Sequence, residues 1–327
     1  MKILTTGTAG FIGSAFVRQA VSKAYEIIVV DNLDYAGDLK RLEEVKKKYR
    51  FYKADICDSA KIGSIFKKEK PEIVVNFAAQ SHVDRSIKEP AIFIDTNICG
   101  VQVLLEAARD CGTAKFIHIS TDEVYGDIEV GEFPENAVLN PSSPYAASKA
   151  AADLLLKSYI RTYKFPGIII RPCNNYGPWQ YPEKLIPLAI LKILRNEKIP
   201  VYAEGKNVRE WLYVKDCAEG ILEIMEKGRI GQIYNLGSGE EKQNIEVVKT
   251  ILRILKLSES RIEFVKDRPG HDIRYKLHSQ KVLQEIGWQP KVKFEEGIAK
   301  TVDWCVEHKD WLNSKNRNRG RSQKGHP

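Results

Sequence analysis

The apolar run Lys115-Phe116-Ile117-His118-Ile119 leads into Ser120-Thr121-Asp122-Glu123-Val124-Tyr125-Gly126. Two carboxylates, Asp122 and Glu123, therefore stand side by side directly after a stretch that reads as a buried strand. Adjacent acids in such a place repel one another and lose hydration, which disfavours both charges. A reaction that needs a base and a proton donor at one spot would use both, provided their surroundings push the two pKa values apart. Successive side chains of a regular strand point to opposite faces. The pair is expected on the turn after the strand, where both can face inward.

A second candidate is the Tyr-x-x-x-Lys pair Tyr145/Lys149. The spacing alone says little, because Tyr49/Lys53 and Tyr202/Lys206 match it equally. Placement separates them. Tyr145 follows Ser142-Ser143-Pro144, a helix-start signal, so Tyr145 and Lys149 would share one helix face. Tyr49/Lys53 reads as a helix-to-strand junction, and Tyr202/Lys206 sits beside Gly205 in a loop. A nearby ammonium favours a phenolate and lowers a Tyr pKa from its reference near 10, giving a base for a hydroxyl proton.

A third motif is Thr6-Gly7-Thr8-Ala9-Gly10-Phe11-Ile12-Gly13, between an expected strand and an expected helix. Gly7 permits a tight turn, Gly10 a close backbone approach to a pyrophosphate, and Gly13 close helix–strand packing. The helix N-terminus would hold the phosphate charge. A further strand ends at Asp31, 18 residues past Gly13, where a carboxylate accepts from ribose hydroxyls and disfavours a 2′-phosphate. NAD is thus expected rather than NADP.

The elements that must position these groups read as an α/β fold, a doubly wound parallel sheet of Rossmann type with a smaller C-terminal substrate-binding lobe. Expected strands are Lys2–Thr6, Glu26–Asp31, Arg50–Ala54, Ile73–Phe77, Lys115–Ile119 and Gly167–Arg171. Helical patterns include Pro90–Cys111 and Tyr145–Tyr163. The NAD-binding domain spans 1–171, with a returning segment at about 212–237 that carries a strand, Gln232–Leu236. Segments 172–211 and 238–313 form the substrate lobe, and 314–327 a basic, disordered tail. That tail supplies five of the net +8 charges and leaves +3 for the body, so charge gives no case for nucleic acid. No apolar run approaches the ~20 residues of a membrane span. The six cysteines are scattered without a CxxC pair, which argues against a metal site or disulfide framework and fits a reducing, cytoplasmic setting.

Taken together, TGTAGFIGS, FAAQSHVDRSI, HISTDEVYGD, NPSSPYAASKAA, NNYGPWQYPEKLIPL, NVREWLYV and DRPGHDIRY resemble the extended short-chain dehydrogenase/reductase superfamily and, within it, the dTDP-glucose 4,6-dehydratases. The resemblance runs to about Trp311, and the Thr-Asp-Glu triplet is its most specific element. It implies catalytic roles for Thr121, Asp122, Glu123, Tyr145 and Lys149. It implies NAD contacts at Gly7, Gly10, Phe11, Ile12, Gly13, Asp31, Asn32, Asp55, Ile56, Ala78, Ala79, Thr96, Tyr145, Lys149 and Asn175. For the sugar nucleotide it implies His82, Thr121, Asn174, Lys184, Leu185, Pro200, Tyr202, Arg209, Asn244, Arg268 and His271, with Arg209 and Arg268 as forks for a diphosphate. The implied substrate is dTDP-glucose and the implied assembly a homodimer, pairing part of two stripes: Val101, Leu104, Leu105 and Ala108, and Ala151, Leu154, Leu155 and Ser158. Gln80 stands where the family usually has Glu, Ala146 where Ser is common, and Trp179-Gln180 where Tyr/Phe-His is usual. The Gln80 change is expected to remove a charge near the cofactor. A nucleotide-sugar 4-epimerase would need everything but Asp122 and Glu123, and a non-catalytic NAD-binding scaffold would need neither acid nor Tyr145.

Overall fold

The computed structural model describes residues 1–319, with side chains as far as Lys315. Strands β1 (Lys2–Thr6), β2 (Glu26–Asp31), β3 (Tyr49–Lys53), β4 (Ile73–Asn76), β5 (Lys115–Ile119) and β6 (Gly167–Pro172) follow one another. Between them run α1 (Phe11–Ala20), α2 (Ser59–Glu69), α3 (Val83–Lys88), α4 (Pro90–Ile94), α5 (Gly100–Cys111) and α6 (Pro144–Tyr163). The rest of the chain adds strands β7 (Asn174–Tyr176), β8 (Ile199–Tyr202), β9 (Val208–Tyr213), β10 (Ile233–Leu236), β11 (Glu241–Gln243) and β12 (Ile262–Val265). Its helices are α7 (Leu185–Leu194), α8 (Val214–Lys227), α9 (Asn244–Ile254), α10 (Gln280–Ile286), α11 (Phe294–Glu307) and α12 (Lys309–Arg319).

Seven strands form one sheet in the order β10-β6-β5-β4-β1-β2-β3, every pair parallel. Their apolar runs are explained by cover on both faces. Ile3, Val29, Val75, Ile117 and Ile168 share a core with α1 and α8. The alternate residues Leu4, Ile28, Val74, Phe116 and Ile169 pack with α2, α5 and α6. Expected strand limits agree with the observed ones to within one residue.

Pro90–Cys111 is helical throughout, with a π-turn at Asp95–Cys99 between α4 and α5. At 22 residues it is long and apolar enough to cross a membrane, which the sequence reading did not allow for. Its apolar face is used inside the protein: Phe93, Val101, Leu104, Leu105 and Ala108 are buried, and all but Phe93 belong to the core beneath the sheet. The stripe Val101, Leu104, Leu105 and Ala108 therefore faces inward and cannot pair with a twin. The π-turn turns Asn97 inward, where it accepts from Gln80 N at 2.8 Å and donates to Ser148 Oγ at 2.8 Å.

The lobe has its own core of Tyr176, Ile190, Trp211, Val248, Phe294 and Trp311, around a small β11-β9-β7 sheet and a β12-β8 pair. Its edges differ from expectation in two places. Leu212 and Tyr213 end β9 in the lobe sheet, so the return to the main sheet starts at α8. Conversely, Val282 and Ile286 of α10 join the main core. The expected tail also begins later than Ser314, because α12 runs on to Arg319 and Lys315 Nζ pairs with Asp38 at 2.8 Å. The remainder of the expected tail, 320–327, lies outside the described residues.

Candidate active site

The glycine motif forms the turn between β1 and α1. Gly7 has φ +67°, and a Cβ there would lie 2.5 Å from backbone atoms of Ala78. A Cβ on Gly10 would meet Gly7 O at 2.9 Å, and one on Gly13 would meet Thr8 at 2.8 Å. Gly10 caps α1 without a side-chain hydrogen bond, and no acid stands in its first turn. These N–H groups and the helix dipole are left for an anion. Asp31 accepts from Ala9 N and Leu33 N, both at 2.8 Å. Burial raises its pKa while those two bonds lower it. The glycine cradle, bare helix end and ribose-side carboxylate fit NAD. A cleft of about 310 Å³ opens over them, and every residue expected to touch NAD lines it, including Phe11, Ile12, Asn32, Asp55, Ile56, Ala78, Ala79, Thr96 and Asn175.

The acid pair also lines this cleft. β5 stops at Ile119, and a 3₁₀ turn, Asp122–Tyr125, follows with Thr121 as its cap. The turn breaks strand alternation and lets both acids face the same space. Thr121 Oγ1 donates to Asp122 Oδ1 at 3.0 Å and accepts from Glu123 N at 3.3 Å. Burial, and then the charge of Glu123, pushes Asp122 up to about 8. Asp122 Oδ2 is buried without a hydrogen bond, as suits a protonated carboxyl awaiting a substrate oxygen. Burial raises Glu123 too, but Lys184, Arg209 and Arg268 oppose it with positive charge. Burial thus raises both acids, while the cations oppose that rise chiefly at Glu123.

Tyr145 and Lys149 lie on the first turns of α6, capped by Ser143, whose hydroxyl accepts from Ala146 N at 3.1 Å. Of the three Tyr-x-x-x-Lys matches only this one is helical. Tyr49/Lys53 lies within β3, and Lys206 pairs with Glu204 in the turn after β8. Burial, and then the charge of Glu123, holds the Tyr145 phenol above its ordinary pKa, with Thr121 acting to lower it. The expected lowering by Lys149 is therefore not met. Lys149 Nζ donates to Ile119 O at 2.6 Å. Burial lowers its own pKa to about 8, with Asp153 opposing.

Of the residues expected at the sugar nucleotide, Thr121, Asn174 and Lys184 line the cleft. Arg209 and Arg268 act on Glu123 electrostatically. Arg268 pairs with Asp84 at 3.0 Å, Tyr202 donates to Asp84 at 3.0 Å, and the His271 ring lies 5.9 Å from that of Tyr202. Arg209 is tied to Asp272 O at 2.8 Å and stacks on Tyr275. His82 sits 3.6 Å from Glu183. Leu185, Pro200 and Asn244 are not on the cleft wall: Leu185 packs in the lobe core, Pro200 pairs with Glu263 along β12, and Asn244 opens α9. Sequence reasoning missed Glu183, a buried carboxylate on the wall that accepts from Tyr35 at 2.9 Å. Its signal was available in YPEKLIPL, where only Lys184 and Leu185 were singled out.

A nucleotide cradle, a helix-borne Tyr/Lys pair and a lobe closing over both define an extended short-chain dehydrogenase/reductase. A family model described as GDP-mannose 4,6 dehydratase matches residues 4–301. A dTDP-glucose 4,6-dehydratase of Escherichia coli is 46% identical, with 95% of each chain covered. DesIV, a dTDP-glucose 4,6-dehydratase of Streptomyces venezuelae solved with NAD and TYD bound, matches with TM-score 0.94 and 44% identity, over 96% of this chain and 100% of that one. A UDP-glucose 4-epimerase of Thermotoga maritima reaches TM-score 0.89 at 33% identity, over 94% of this chain and 99% of that one. The chain belongs to the dTDP-glucose 4,6-dehydratase family. Since an epimerase shares the fold, the fold alone does not separate the two reactions.

Two outcomes follow from the geometry. Gly7→Ala would force a Cβ into backbone, so the purified variant should carry far less NAD than wild type; equal NAD content would contradict the cradle. Activity should rise with pH as Glu123 ionises, at a pH above the ordinary carboxylate range, and fall as pH passes about 8, where Asp122 loses its proton and Lys149 its charge. A kcat/KM profile without an alkaline limb would refute the assignment of acid and base.

Proposed function

We infer that this protein is an NAD-dependent hydro-lyase that converts dTDP-glucose to dTDP-4-keto-6-deoxyglucose and water. The observation that carries this is the adjacent pair Asp122 and Glu123 beside Tyr145 over the cradle, both raised by burial but with Glu123 alone opposed by three cations. NAD⁺ supplies a hydride acceptor for C4 and, once reduced, the donor that completes C6. Tyr145, on the cleft wall beside Thr121, takes the C4 hydroxyl proton. The resulting ketone acidifies C5, and Glu123 removes its proton. Asp122 gives its proton to the departing C6 hydroxyl, and Glu123 returns one to C5. Lys184, Arg209 and Arg268 gather positive charge near Glu123, which supports its carboxylate and suits a diphosphate. A 4-epimerase accounts for Tyr145 and Lys149 but leaves both acids without a task.

The same reading includes a cytoplasmic homodimer. The six cysteines are free thiols, which fits a reducing compartment. Leu154, on the outer face of α6, is 55% exposed, and Ile92 and Ile94 on α4 are 44% and 50% exposed. α4 packs beside α6, and a two-fold partner would cover exposed apolar side chains on both helices. Light scattering at micromolar concentration should give twice the chain mass; a monomer would exclude the dimer.

Glu123→Gln keeps the shape and removes the base. The variant should still oxidise C4, accumulating reduced cofactor and a 4-keto hexose that retains its C6 oxygen. Loss of a positioned acid–base group costs about 10²–10⁴ in rate, and 6-deoxy product should fall by that order. In deuterated water the wild type should place deuterium at C5, which an epimerase would leave unlabelled. Undiminished 6-deoxy product from Glu123→Gln would overturn this reading.

A further inference from the structure

The loop that follows β2 walls the cofactor cleft beside Asp31, through Asp34, Tyr35, Ala36 and Gly37. It is strained at its start, because Leu33 holds φ +57°. A bulky L-residue adopts that region only when its surroundings over-determine it. The loop must therefore be held from outside.

Arg41, on the 3₁₀ turn Leu39–Val45, supplies a brace. Its side chain is buried and joins three parts of the chain. Nη1 donates to Ala36 O in the loop at 2.6 Å and to Ala9 O in the glycine turn at 2.8 Å. Nε donates to Trp179 O, in the lobe, at 3.1 Å. Nη2 has no hydrogen-bond partner among the described residues, so the buried charge rests on these bonds and on the acids Asp38 and Asp31. Burial lowers the guanidinium to about 10, with both acids opposing, and it stays charged at neutral pH.

The brace is itself held by α12. Asp38 Oδ2 accepts from Trp311 Nε1 at 2.8 Å and pairs with Lys315 Nζ at 2.8 Å. Its Oδ1 is left to cap the turn, accepting from Lys40 N at 3.0 Å, while Asp38 N donates to Ala9 O at 2.9 Å. Trp311 also meets Arg41 directly, with the guanidinium carbon 5.1 Å from the ring centroid. A planar fork with fixed donors can tie several carbonyls at once, which a lysine cannot.

We propose that Arg41 is a positioning residue for NAD and that α12 is the strap that keeps it in place. Trp311 and Lys315 hold Asp38 and Arg41, and these lock the loop and the glycine turn into one cofactor wall. NAD then leaves slowly, because opening the wall costs the Arg41 bonds.

The test is the rate at which NAD-loaded enzyme releases its cofactor, read by trapping free NAD with alcohol dehydrogenase and ethanol and following the NADH formed. It is run without sugar, so failure of the dehydratase reading cannot mimic failure here. Arg41→Lys keeps the charge but not the bonds to Ala9, Ala36 and Trp179. It should release NAD more than about tenfold faster than wild type, the scale of a lost hydrogen bond from a charged group. Lys315→Met, outside the cleft, should speed release by about two- to fivefold, the scale of a partly exposed ion pair, with wild-type kcat at saturating NAD. Added salt should narrow that gap, since it screens the pair. In the double variant the two effects should fall short of multiplying, because both act on one wall. Wild-type release from Arg41→Lys would overturn the proposal. Effects that multiply, or a loss of kcat in Lys315→Met with release unchanged, would show that α12 only supports the lobe and would overturn the strap. Should Arg41→Lys not fold, Trp311→Phe takes its place, keeping a ring and removing the N–H. Faster release from it and from Lys315→Met supports the strap, and wild-type release from both overturns it.

Discussion

Keeping two carboxyl groups in one dry turn is the constraint on which the rest of the site depends. Asp122 is 3% exposed, and an ionised acid there would be strongly disfavoured without donors. The turn is therefore anchored to the sheet on several sides. Ser120 N donates to Ile170 O at 2.7 Å and Asn140 N to Val124 O at 3.1 Å. Tyr125 wedges beneath the turn, donating to Asn235 Oδ1 at 2.8 Å and accepting from Arg171 at 2.6 Å. Gly126, at φ +78°, lets the chain leave, since a Cβ would sit 2.2 Å from Asn140 O. Three parallel strands, β5, β6 and β10, thus fix where the acids point.

Under that turn lies a second dry layer of charge. Asp153 accepts from Arg171 Nε at 2.9 Å, and both side chains are essentially unexposed. Such a pair gains little net stability over apolar packing, but losing one partner leaves a buried charge. His118 beside it has a determined protonation. Asn76 Oδ1 accepts from Ala78 N at 3.1 Å, so Asn76 Nδ2 must donate to His118 Nδ1, at 3.2 Å, and the ring proton sits on Nε2. Burial keeps this imidazole neutral, reinforced by the charges of Lys149 and Arg171. The layer holds Lys149 against the end of β5, where its ammonium can influence the cleft without bonding to Tyr145.

The parallel sheet was legible in the sequence because strands covered on both faces are apolar throughout, and that pattern survives in a single sequence. The cradle was legible because only glycine fits its three positions. The acid pair was legible because two adjacent acids after a buried strand are costly without a purpose. The lobe was less so. Leu185, Pro200 and Asn244 stand on α7, β8 and α9 of the lobe, and no local sequence signature shows how those elements pack. Glu183 was missed because one acid in a loop looks like solvated surface until Tyr35 is seen to donate to it. The inward stripe of α5 was ambiguous because an apolar helix face reads alike whether it meets a sheet or a twin.

The departures from the family pattern acquire a physical meaning from their neighbours. Gln80 does not simply remove a charge beside the cofactor. Its Nε2 donates to Asp34 Oδ2 at 2.7 Å, and both residues line the cleft. A glutamate at 80 would set two carboxylates against each other, so the negative charge at this rim is carried by Asp34 instead. Trp179 likewise does not face the cleft. It packs with Trp304, His308 and Trp311, and its carbonyl accepts from Arg41, which also holds Ala9 O at 2.8 Å. The tryptophan thus fastens the lobe to the cofactor turn rather than selecting a nucleotide. Gln180 does reach the wall, where its amide donates to Asn175 O at 2.7 Å. Of the two lobe substitutions, only this one stands where it can touch a ligand, and it lies next to a residue of the NAD wall.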